Sequence, residues 1–375
     1  MKDNKYYKSF DGWRGVLALL ICVAHLKING HIYQSFLTVE TYVYVQFFFV
    51  LSGFIMCLIY YNYLNSPRLL KIFFIKRLSR LYPVHIFIIF FLVMLDLIFI
   101  GMIKEYSLYS REPFSENKSI YALITNVFFV QGMGFNSWYT WNTVSHPVSV
   151  EFYTCLLFGI LCYKFKKYIS QLSIILIIIS GYFLYSRYDN LNNFHLLFRA
   201  VCGFFSGVIC FKIFDQVRHK LPKIYSVKLW TILESLSIVF LFLLAQIETS
   251  NLSSIYLTFG LVLPIIIFGF EKGLISKFLM TKLFQFFGKI AYSLYMTHGV
   301  VFACIVMIAR ISEEKLKINL FKKNENSDVL DIFLGTNMYE GDIYYILIMG
   351  ICIFVAYLTN IIIEEPIKKS IRKNL

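Results

Sequence analysis

Charged side chains are scarce in this sequence, and their scarcity excludes an ordinary soluble domain. Only 15% of the 375 residues are charged, whereas 58% are hydrophobic and 19% are aromatic. The mean hydropathy is +0.66, and a soluble chain of this length does not need so much apolar surface. Because the apolar runs are long and unbroken, the composition predicts an α-helical membrane protein and not a β-barrel.

Paired cysteine motifs are absent as well. The eight cysteines lie almost wholly within apolar runs and form no Cys-x-x-Cys pair, so neither a disulfide framework nor a zinc site is predicted, and no metal is expected.

The first apolar run has a basic start but no Ala-x-Ala cleavage site, so we expect a retained span. Without an internal repeat, a low-complexity tract or an appended soluble domain, we expect one membrane-embedded domain over residues 1–375.

The apolar runs predict an all-α polytopic fold with about ten transmembrane helices. They cover residues 13–29, 42–63, 84–103, 147–164, 170–187, 195–214, 229–247, 252–270, 285–309 and 343–363. Lysine and arginine gather at the N-terminus, in every second connection and in the C-terminal tail, as the positive-inside rule describes for cytoplasmic segments. Both termini are therefore predicted to be cytoplasmic. The same placement accounts for the net charge of +14 without a nucleic-acid partner.

Three connections have patterns of their own. Residues 66–83 place basic side chains among apolar ones at helical spacing, which predicts an interfacial helix on the cytoplasmic leaflet. The outer segment 104–146 contains an apolar run at 119–131 that is too short to span, which predicts a re-entrant or interfacial segment. The outer loop 310–342 is polar and mixed in charge, and we expect it to be a flexible cover.

The first span carries two ionisable side chains. Arg14 and His25 are eleven residues apart, so in a helix they lie on one face, about 16 Å apart along the axis. Ionisable groups in a spanning helix usually face the bundle interior or a wet cavity. The alternative is that Arg14 snorkels to the interface and His25 is hydrogen-bonded to a neighbouring helix. The pair on one face favours a functional site.

Other polar side chains are predicted at related depths. Arg77 and Arg80 lie on the cytoplasmic side, one helical turn apart. Glu151 enters from the outer side, and His298 has a depth similar to that of the histidine in the first span. Arginines suit phosphate or carboxylate groups, and a mid-depth histidine suits a general base that a carboxylate orients. The residues alone leave two classes open: an enzyme with a phosphorylated donor, and a transporter with a His/Glu proton relay.

Several motifs occur in a specific order along the chain. They are Arg14 and His25 within FDGWRGVLALLICVAH, FFFVLSGFIM at 47–56, Arg77 and Arg80 within KRLSRLYP, WNTVSHPVSVEFYTCLLF at 141–158, FFGKIAYSLYMTH at 286–298, and IIIEEPIKK. This ordered set resembles the acyltransferase-3 family of integral-membrane acyltransferases and covers essentially the whole chain. His146 and Pro147 depart from the tryptophan and serine that the family often has there. We expect no soluble hydrolase-like domain of the kind that many relatives carry after the membrane domain.

The resemblance implies an O-acyltransferase that moves an acyl group, expected to be acetyl, from cytoplasmic acyl-CoA to a sugar hydroxyl. The expected acceptor is a surface glycan such as O-antigen, capsule or exopolysaccharide, and the expected location is the cytoplasmic membrane of a bacterium. The resemblance implies Arg14, Arg77 and Arg80 as ligands of the donor phosphates. His25 is expected to be the general base, and Glu151 to orient its imidazole or the acceptor. Acyl-CoA is expected as a co-substrate, with no permanently bound cofactor.

A second set of candidates is expected around this centre. It comprises His298, Tyr295, Ser149, Trp141 and Asn142. Ser52 and Ser149 are conceivable nucleophiles for an acyl-enzyme, but isolated serines in membrane helices usually bond to backbone or neighbours, so direct transfer is favoured. Arg199 is interpreted mainly as structural. The alternatives are a small or lipid-linked saccharide as acceptor, or a transporter, although the inverted repeat that would favour transport is not visible.

Overall fold

Helices dominate the computed structural model, which describes residues 7–33, 35, 41–106, 114–136, 140–186, 194–218, 220, 226–246, 253–323 and 332–374. The helices are α1 (Lys8–His25), α2 (Thr41–Tyr60), α3 (Pro67–Tyr106), α4 (Ile120–Val127), α5 (His146–Lys164), α6 (Ile169–Ser186), α7 (His195–Val217), α8 (Val227–Ala245), α9 (Ser253–Gly260), α10 (Val262–Gly269), α11 (Leu274–Leu279), α12 (Lys282–Leu316), α13 (Met338–Thr359) and α14 (Glu365–Asn374). A π-helical turn, Asn360–Glu364, joins α13 to α14. The described residues also form two short strands, β1 (Phe321–Lys323) and β2 (Ile332–Leu334), and three 3₁₀ turns, Glu116–Lys118, Thr143–Ser145 and Lys166–Tyr168.

Within the described ranges, eight helical segments are long and apolar enough to cross a membrane. They are α2, α3, α5, α6, α7, α8, α12 and α13, some with adjoining turns. The other two predicted runs form α1, which carries three charged side chains, and the pair α9–α10. That pair is interrupted at Leu261, because Pro264 has no N–H to donate to the carbonyl of Gly260. The structure confirms an all-α polytopic membrane protein.

Close glycine contacts hold α1 against α12 in a fixed register. A Cβ atom on Gly15 would lie 2.6 Å from the backbone nitrogen of Gly288, so the two backbones are in direct contact. Ten residues further along each helix, His25 meets His298. The two helices therefore run parallel. The contact between the glycines sets which residues of α12 lie beside His25.

The helix α2 packs equally closely on α7. A Cβ atom on Gly53 would lie 1.8 Å from the carbonyl oxygen of Phe204, and one on Gly207 would lie 1.9 Å from that of Val50. Small residues at such contacts let helices approach without voids, which is how membrane bundles gain packing energy. This contact holds the adjacent Ser52 in place.

Both ends of the described chain lie on the same side of the bundle. The side chain of Gln285, at the start of α12, donates a hydrogen bond to the carbonyl of Lys8 (2.8 Å). At the other end of the chain, Asn360 donates to the carbonyl of Lys289 (3.4 Å), and α14 continues from there. By the positive-inside rule this shared side is the cytoplasmic one, in agreement with the predicted orientation.

The predicted interfacial helix over 66–83 is helical, but it is not a separate element. It forms the N-terminal part of α3, a single helix of 40 residues that continues through Pro83. Proline is tolerated inside membrane helices when neighbouring groups satisfy the freed backbone. As a result, the basic residues of this segment are joined rigidly to the span that follows.

The predicted re-entrant segment is present between α3 and α5. Lys118 forms an ion pair with Asp96 (3.6 Å), whereas the carbonyl of Asn126 lies 2.8 Å from His85 Nε2. His85 and Asp96 are eleven residues apart on α3, so the chain descends by about 16 Å between these contacts. It then returns to its starting level, because the Trp141 ring lies beneath the Lys118 ammonium group (5.9 Å).

The described part of the outer connection between α12 and α13 covers the end of α1. The strands β1 and β2 pair antiparallel, with Phe321 opposite Leu334. Leu334 also bridges to Ile28, and the Asn29 N–H donates to its carbonyl (2.9 Å). Residues 324–331 of the predicted flexible cover lie outside the described residues. The observed hairpin is thus attached to the segment that directly follows His25.

Candidate active site

A cavity of about 330 Å³ lies among α1, α2, α3, α5 and α12. Its ionisable and polar lining consists of Asp11, Arg14, Ser52, Arg77, Arg80, Glu151, Tyr7, Tyr292 and Tyr295. The remaining walls are mainly aliphatic and aromatic, as in most small-molecule sites. Since the charged groups come from helices that are far apart in the chain, only the folded bundle assembles this site.

The three predicted arginines share the cavity. Arg14 is paired with Asp11 one turn earlier on α1 (3.1 Å), and the Arg77 Nε–H donates to the sulfur of Cys155 (3.0 Å). Arg80 interacts electrostatically with both of the other arginines. Like charges held this close repel each other, so an anionic ligand would relieve the repulsion as well as accept hydrogen bonds.

Arg80 differs from the other two arginines because its guanidinium has no bonded partner among the described residues. Among the described residues its guanidinium makes no hydrogen bond and no ion pair, although Glu364 and Glu151 lie within electrostatic range. A guanidinium has five N–H donors and stays charged in proteins. A half-buried cation with unoccupied donors, lining a cavity, is the feature expected of an anion-binding site.

Glu151 lies in this cavity and not beside His25. Its carboxylate accepts a short hydrogen bond from the Ser52 hydroxyl and interacts electrostatically with Arg77 and Arg80. The expectation that Glu151 orients the imidazole is therefore corrected by the geometry. The physical reason is that α5 begins at His146, at the depth of the re-entrant segment, so Glu151 lies nearer to the arginines than its position in the sequence suggested.

The partner of His25 is His298. The Nδ1 atom of His25 lies 2.9 Å from Nε2 of His298, and the two ring planes differ by only 4°. The ring centroids are 5.1 Å apart, which is the N···N distance plus about two ring radii, so the imidazoles lie edge to edge in one plane. His25 is exposed, whereas His298 is fully buried.

Tyr295 separates the histidine pair from the cavity. Its side chain lines the cavity, and its ring centroid lies 6.1 Å from that of His298 on the next turn of α12. Among the described residues that line the cavity, neither His25 nor His298 is found. Hence the arginines occupy the cytoplasmic part of the site, and the histidines lie just beyond the opposite, outer end of the cavity.

The end of α1 is anchored so that His25 has a defined position. The backbone leaves the helix at Leu26, which is extended (φ −79°, ψ 98°). The last carbonyls of a helix need external donors, and the Tyr345 hydroxyl of α13 donates to the carbonyl of Leu26 (2.8 Å). His25 is therefore the last residue of a helix that is fixed from two sides.

Ser149 is engaged in structural hydrogen bonds. Its hydroxyl donates to the carbonyl of His146 (2.8 Å) and accepts from the N–H of Gly132 (3.0 Å), which ties the re-entrant segment to α5. It is fully buried and is not among the described residues that line the cavity. This geometry disfavours Ser149 as a nucleophile, whereas Ser52 does face the cavity.

Trp141 and Asn142 support the site from the outer side. The indole N–H of Trp141 donates to the carbonyl of Ser119 (3.3 Å), within the re-entrant segment. The Asn142 amide donates to the carbonyl of Met296 (3.5 Å), two residues before His298. Neither belongs to the cavity lining within the described part of the chain.

Arg199 connects two helices away from the site. Its guanidinium donates to the side chain of Gln46 (3.3 Å) and to the carbonyl of Tyr42 (2.8 Å). These bonds join α7 to α2, in keeping with the structural role expected for it.

Sequence reasoning did not single out three residues near the arginines. Asp11 precedes Arg14 by one helical turn, a spacing that by itself indicates an ion pair. Tyr292 lies one helical turn before Tyr295 and also lines the cavity. Glu364 is buried in the π-helical turn, where it accepts a hydrogen bond from Ser293 (2.6 Å). Its signal in the sequence was a pair of adjacent glutamates, Glu364 and Glu365, at the end of an apolar run.

In the part of the chain that the structure describes, no cluster of His, Cys, Asp and Glu is arranged to hold a metal ion. The site as a whole combines an arginine-lined cavity, which suits an anion, with the exposed imidazole of His25 at the other end of α1. Such a site can hold a phosphorylated donor and activate a hydroxyl group of a second substrate.

Comparison with known proteins agrees with this chemistry. The family model described as an acyltransferase domain, that of the acyltransferase-3 family, matches residues 7–361. Neither a curated protein nor a solved structure matches the chain significantly. The matched range includes every residue of the cavity lining and both histidines. Because the family model covers nearly the whole chain, this multi-pass membrane protein belongs to the acyltransferase-3 family and is an acyltransferase.

Proposed function

We propose that the protein transfers an acyl group, in the first instance acetyl, from cytoplasmic acyl-CoA to a sugar hydroxyl. The acceptor we propose is a surface glycan such as O-antigen, capsule or exopolysaccharide, in the cytoplasmic membrane of a bacterium. The observation that carries this proposal is an arginine-lined cavity that ends one helical turn from a histidine pair, of which His25 is exposed and His298 is buried. Membership of an acyltransferase family favours this interpretation over transport.

The donor site we propose is formed by Arg14, Arg77 and Arg80. Coenzyme A carries several phosphates, and guanidinium groups bind phosphate through paired N–H donors. Along α1, Arg14 and His25 are separated by about 16 Å of helix rise. This is of the order of the pantetheine arm that separates the phosphates of CoA from its thioester. The apolar walls of the cavity suit that arm.

The reaction we propose is direct transfer with His25 as general base. The imidazole takes the proton from the acceptor hydroxyl, and the oxygen attacks the thioester carbonyl. The C–S bond breaks, and the CoA thiolate leaves and takes up the proton. A positioned base contributes about 10²–10⁴-fold to the rate, and alignment of the two substrates contributes further.

The roles of the other cavity residues follow from their positions. We propose that Glu151 positions the arginine side chains of the donor site, since its carboxylate interacts with Arg77 and Arg80. Tyr295 lies between the cavity and His298, so we propose that it lines the path of the acyl group towards the acceptor.

Mass spectrometry of surface glycans tests the proposal. Cells that lack the protein are complemented with wild type or with His25→Ala, at matched levels in the membrane. We expect each glycan repeat to lose the mass of one acyl group in the deletion strain and to regain it with wild type only. Full restoration by His25→Ala would refute the base assignment. An unchanged glycan mass in the deletion strain would refute the glycan acceptor and leave a small or lipid-linked saccharide as the alternative.

A further inference from the structure

The hydrogen bonds around the two histidines determine which nitrogen of His25 is free to act. We infer that His298 is a positioning residue that holds His25 in the tautomer with Nδ1 protonated and Nε2 free. This inference rests on the proposed role of His25 as the base. It assigns to His298 a defined task that does not require contact with either substrate.

The first step is the tautomer of His298. Its Nδ1 atom lies 3.2 Å from the carbonyl oxygen of Leu294, one turn earlier on α12. A carbonyl oxygen can only accept, so Nδ1 must carry the hydrogen. In a neutral imidazole the other nitrogen then has the lone pair. Because His298 is fully buried, the neutral form is the one expected there. Its Nε2 atom is therefore an acceptor.

The second step is the tautomer of His25. Its Nδ1 atom faces that acceptor at 2.9 Å, in the plane of both rings, which is good hydrogen-bond geometry. With Nδ1–H the bond is made. With the hydrogen on Nε2 instead, two lone pairs would face each other at this distance, or His298 would have to give up its bond to Leu294. The observed geometry is thus compatible with one neutral tautomer of His25.

The third step concerns the remaining nitrogen. Among the described residues, His298 is the only hydrogen-bond partner of His25, so Nε2 is open, and the side chain is exposed. His25 is also the last residue of α1, where the negative end of the helix dipole favours an imidazolium ion. When Nε2 takes a proton, the Nδ1–H bond to His298 is retained and strengthened by the charge. The pair therefore presents a single, oriented base to the acceptor side.

Two properties of His298 suit it to this task. It lies in the rigid middle of α12, whose register with α1 is set by the contact between Gly15 and Gly288. Asn142 donates to the carbonyl of Met296 and so holds the same turn of α12 from the outer side. The imidazole of His298 therefore has little freedom to rotate, and its orientation is transmitted to His25.

Solid-state ¹⁵N NMR of histidine-labelled protein in lipid tests the tautomer directly, without a substrate. The signal of His25 is assigned by its absence in His25→Ala, at a pH of about 8 where an ordinary histidine is neutral. In wild type we expect Nδ1 protonated and Nε2 unprotonated. In His298→Leu we expect both tautomers. In His298→Gln, whose amide oxygen can accept in place of Nε2, we expect the wild-type tautomer again.

The activity readout uses the glycan assay at matched membrane levels. We expect His25→Ala to lower acylation by about 10²-fold or more. We expect His298→Leu to fall between wild type and His25→Ala, because part of its His25 population keeps Nε2 free, and His298→Gln to acylate faster than His298→Leu. His31→Leu, at another histidine of the outer side, serves as the control and should leave the His25 spectrum unchanged. The double variant His25→Ala/His298→Leu should lose no more than His25→Ala alone.

Each outcome decides a different question. A protonated Nε2 on His25 in wild type would overturn the inference whatever the activity. If His298→Leu does not fold, His298→Gln decides alone: a folded Gln variant as slow as His25→Ala would also overturn it. If wild type shows the expected tautomer but restores no acyl group to the glycan, the proposed function fails and the tautomer assignment stands.

Discussion

Replacement of Arg80 by glutamine tests the donor site most sharply. Among the described residues this guanidinium has no hydrogen bond or ion pair, so its donors are available to a ligand. A hydrogen bond between charged groups contributes about 1.5–3 kcal/mol. Its loss corresponds to a Kd for CoA that is about 10- to 150-fold weaker. The unliganded protein loses no described bond and is relieved of repulsion from Arg14 and Arg77, so we expect its Tm to be unchanged or higher.

The assay is calorimetric titration of the purified protein with CoA in lipid nanodiscs, together with thermal unfolding. Arg199→Gln is the matched control, because it breaks bonds to Gln46 and Tyr42 that lie outside the cavity. We expect this control to lower the Tm and to leave the Kd for CoA unchanged. If Arg80→Gln bound CoA within twofold of wild type, the assignment of the cavity to the donor would be refuted. A Tm as low as that of the control would show that Arg80 is a structural residue.

Three further substitutions test the packing and the roles assigned to polar residues. Gly53→Val would drive a side chain into the carbonyl of Phe204, so we expect the protein to be lost from membranes, whereas Gly350→Val, whose Cβ would meet no described atom within 4 Å, should accumulate and melt like wild type. Ser149→Ala should lower the free energy of unfolding by about 1–3 kcal/mol and keep glycan acylation, and abolished acylation in a folded variant would restore it as a nucleophile. Glu151→Gln removes the carboxylate that we propose positions Arg77 and Arg80, so calorimetry should show CoA bound more weakly than by wild type; unchanged or tighter binding would contradict that role.

The parts of the site that lie on one helix could be predicted from the sequence. The period of the α-helix places Arg14 and His25 on one face, and the pair Arg77 and Arg80 one turn apart. The length of the apolar run at 119–131 was sufficient to predict a segment that does not span the membrane, re-entrant or interfacial, but not to choose between the two. These features depend only on local geometry and on the thickness of the bilayer.

The contacts between helices could not be predicted in the same way. The pairing of His25 with His298 depends on the register of α1 against α12, which is set by the approach of Gly15 to Gly288. Hydropathy contains no information on such a register. For this reason a carboxylate, Glu151, was expected beside the imidazole. The burial of Glu364 could not be predicted either, because it depends on the π-helical turn Asn360–Glu364, which hydropathy does not reveal.

The most direct test of the central claim is transfer from labelled acetyl-CoA in membrane vesicles of defined orientation. Inside-out vesicles expose the cytoplasmic face, so acetyl-CoA added outside reaches the arginine-lined cavity. We expect the label on extracted glycan in inside-out vesicles with wild type, and not in right-side-out vesicles or with His25→Ala. Equal labelling with His25→Ala, or labelling confined to right-side-out vesicles, would contradict a cytoplasmic donor site coupled to an outward-facing histidine base.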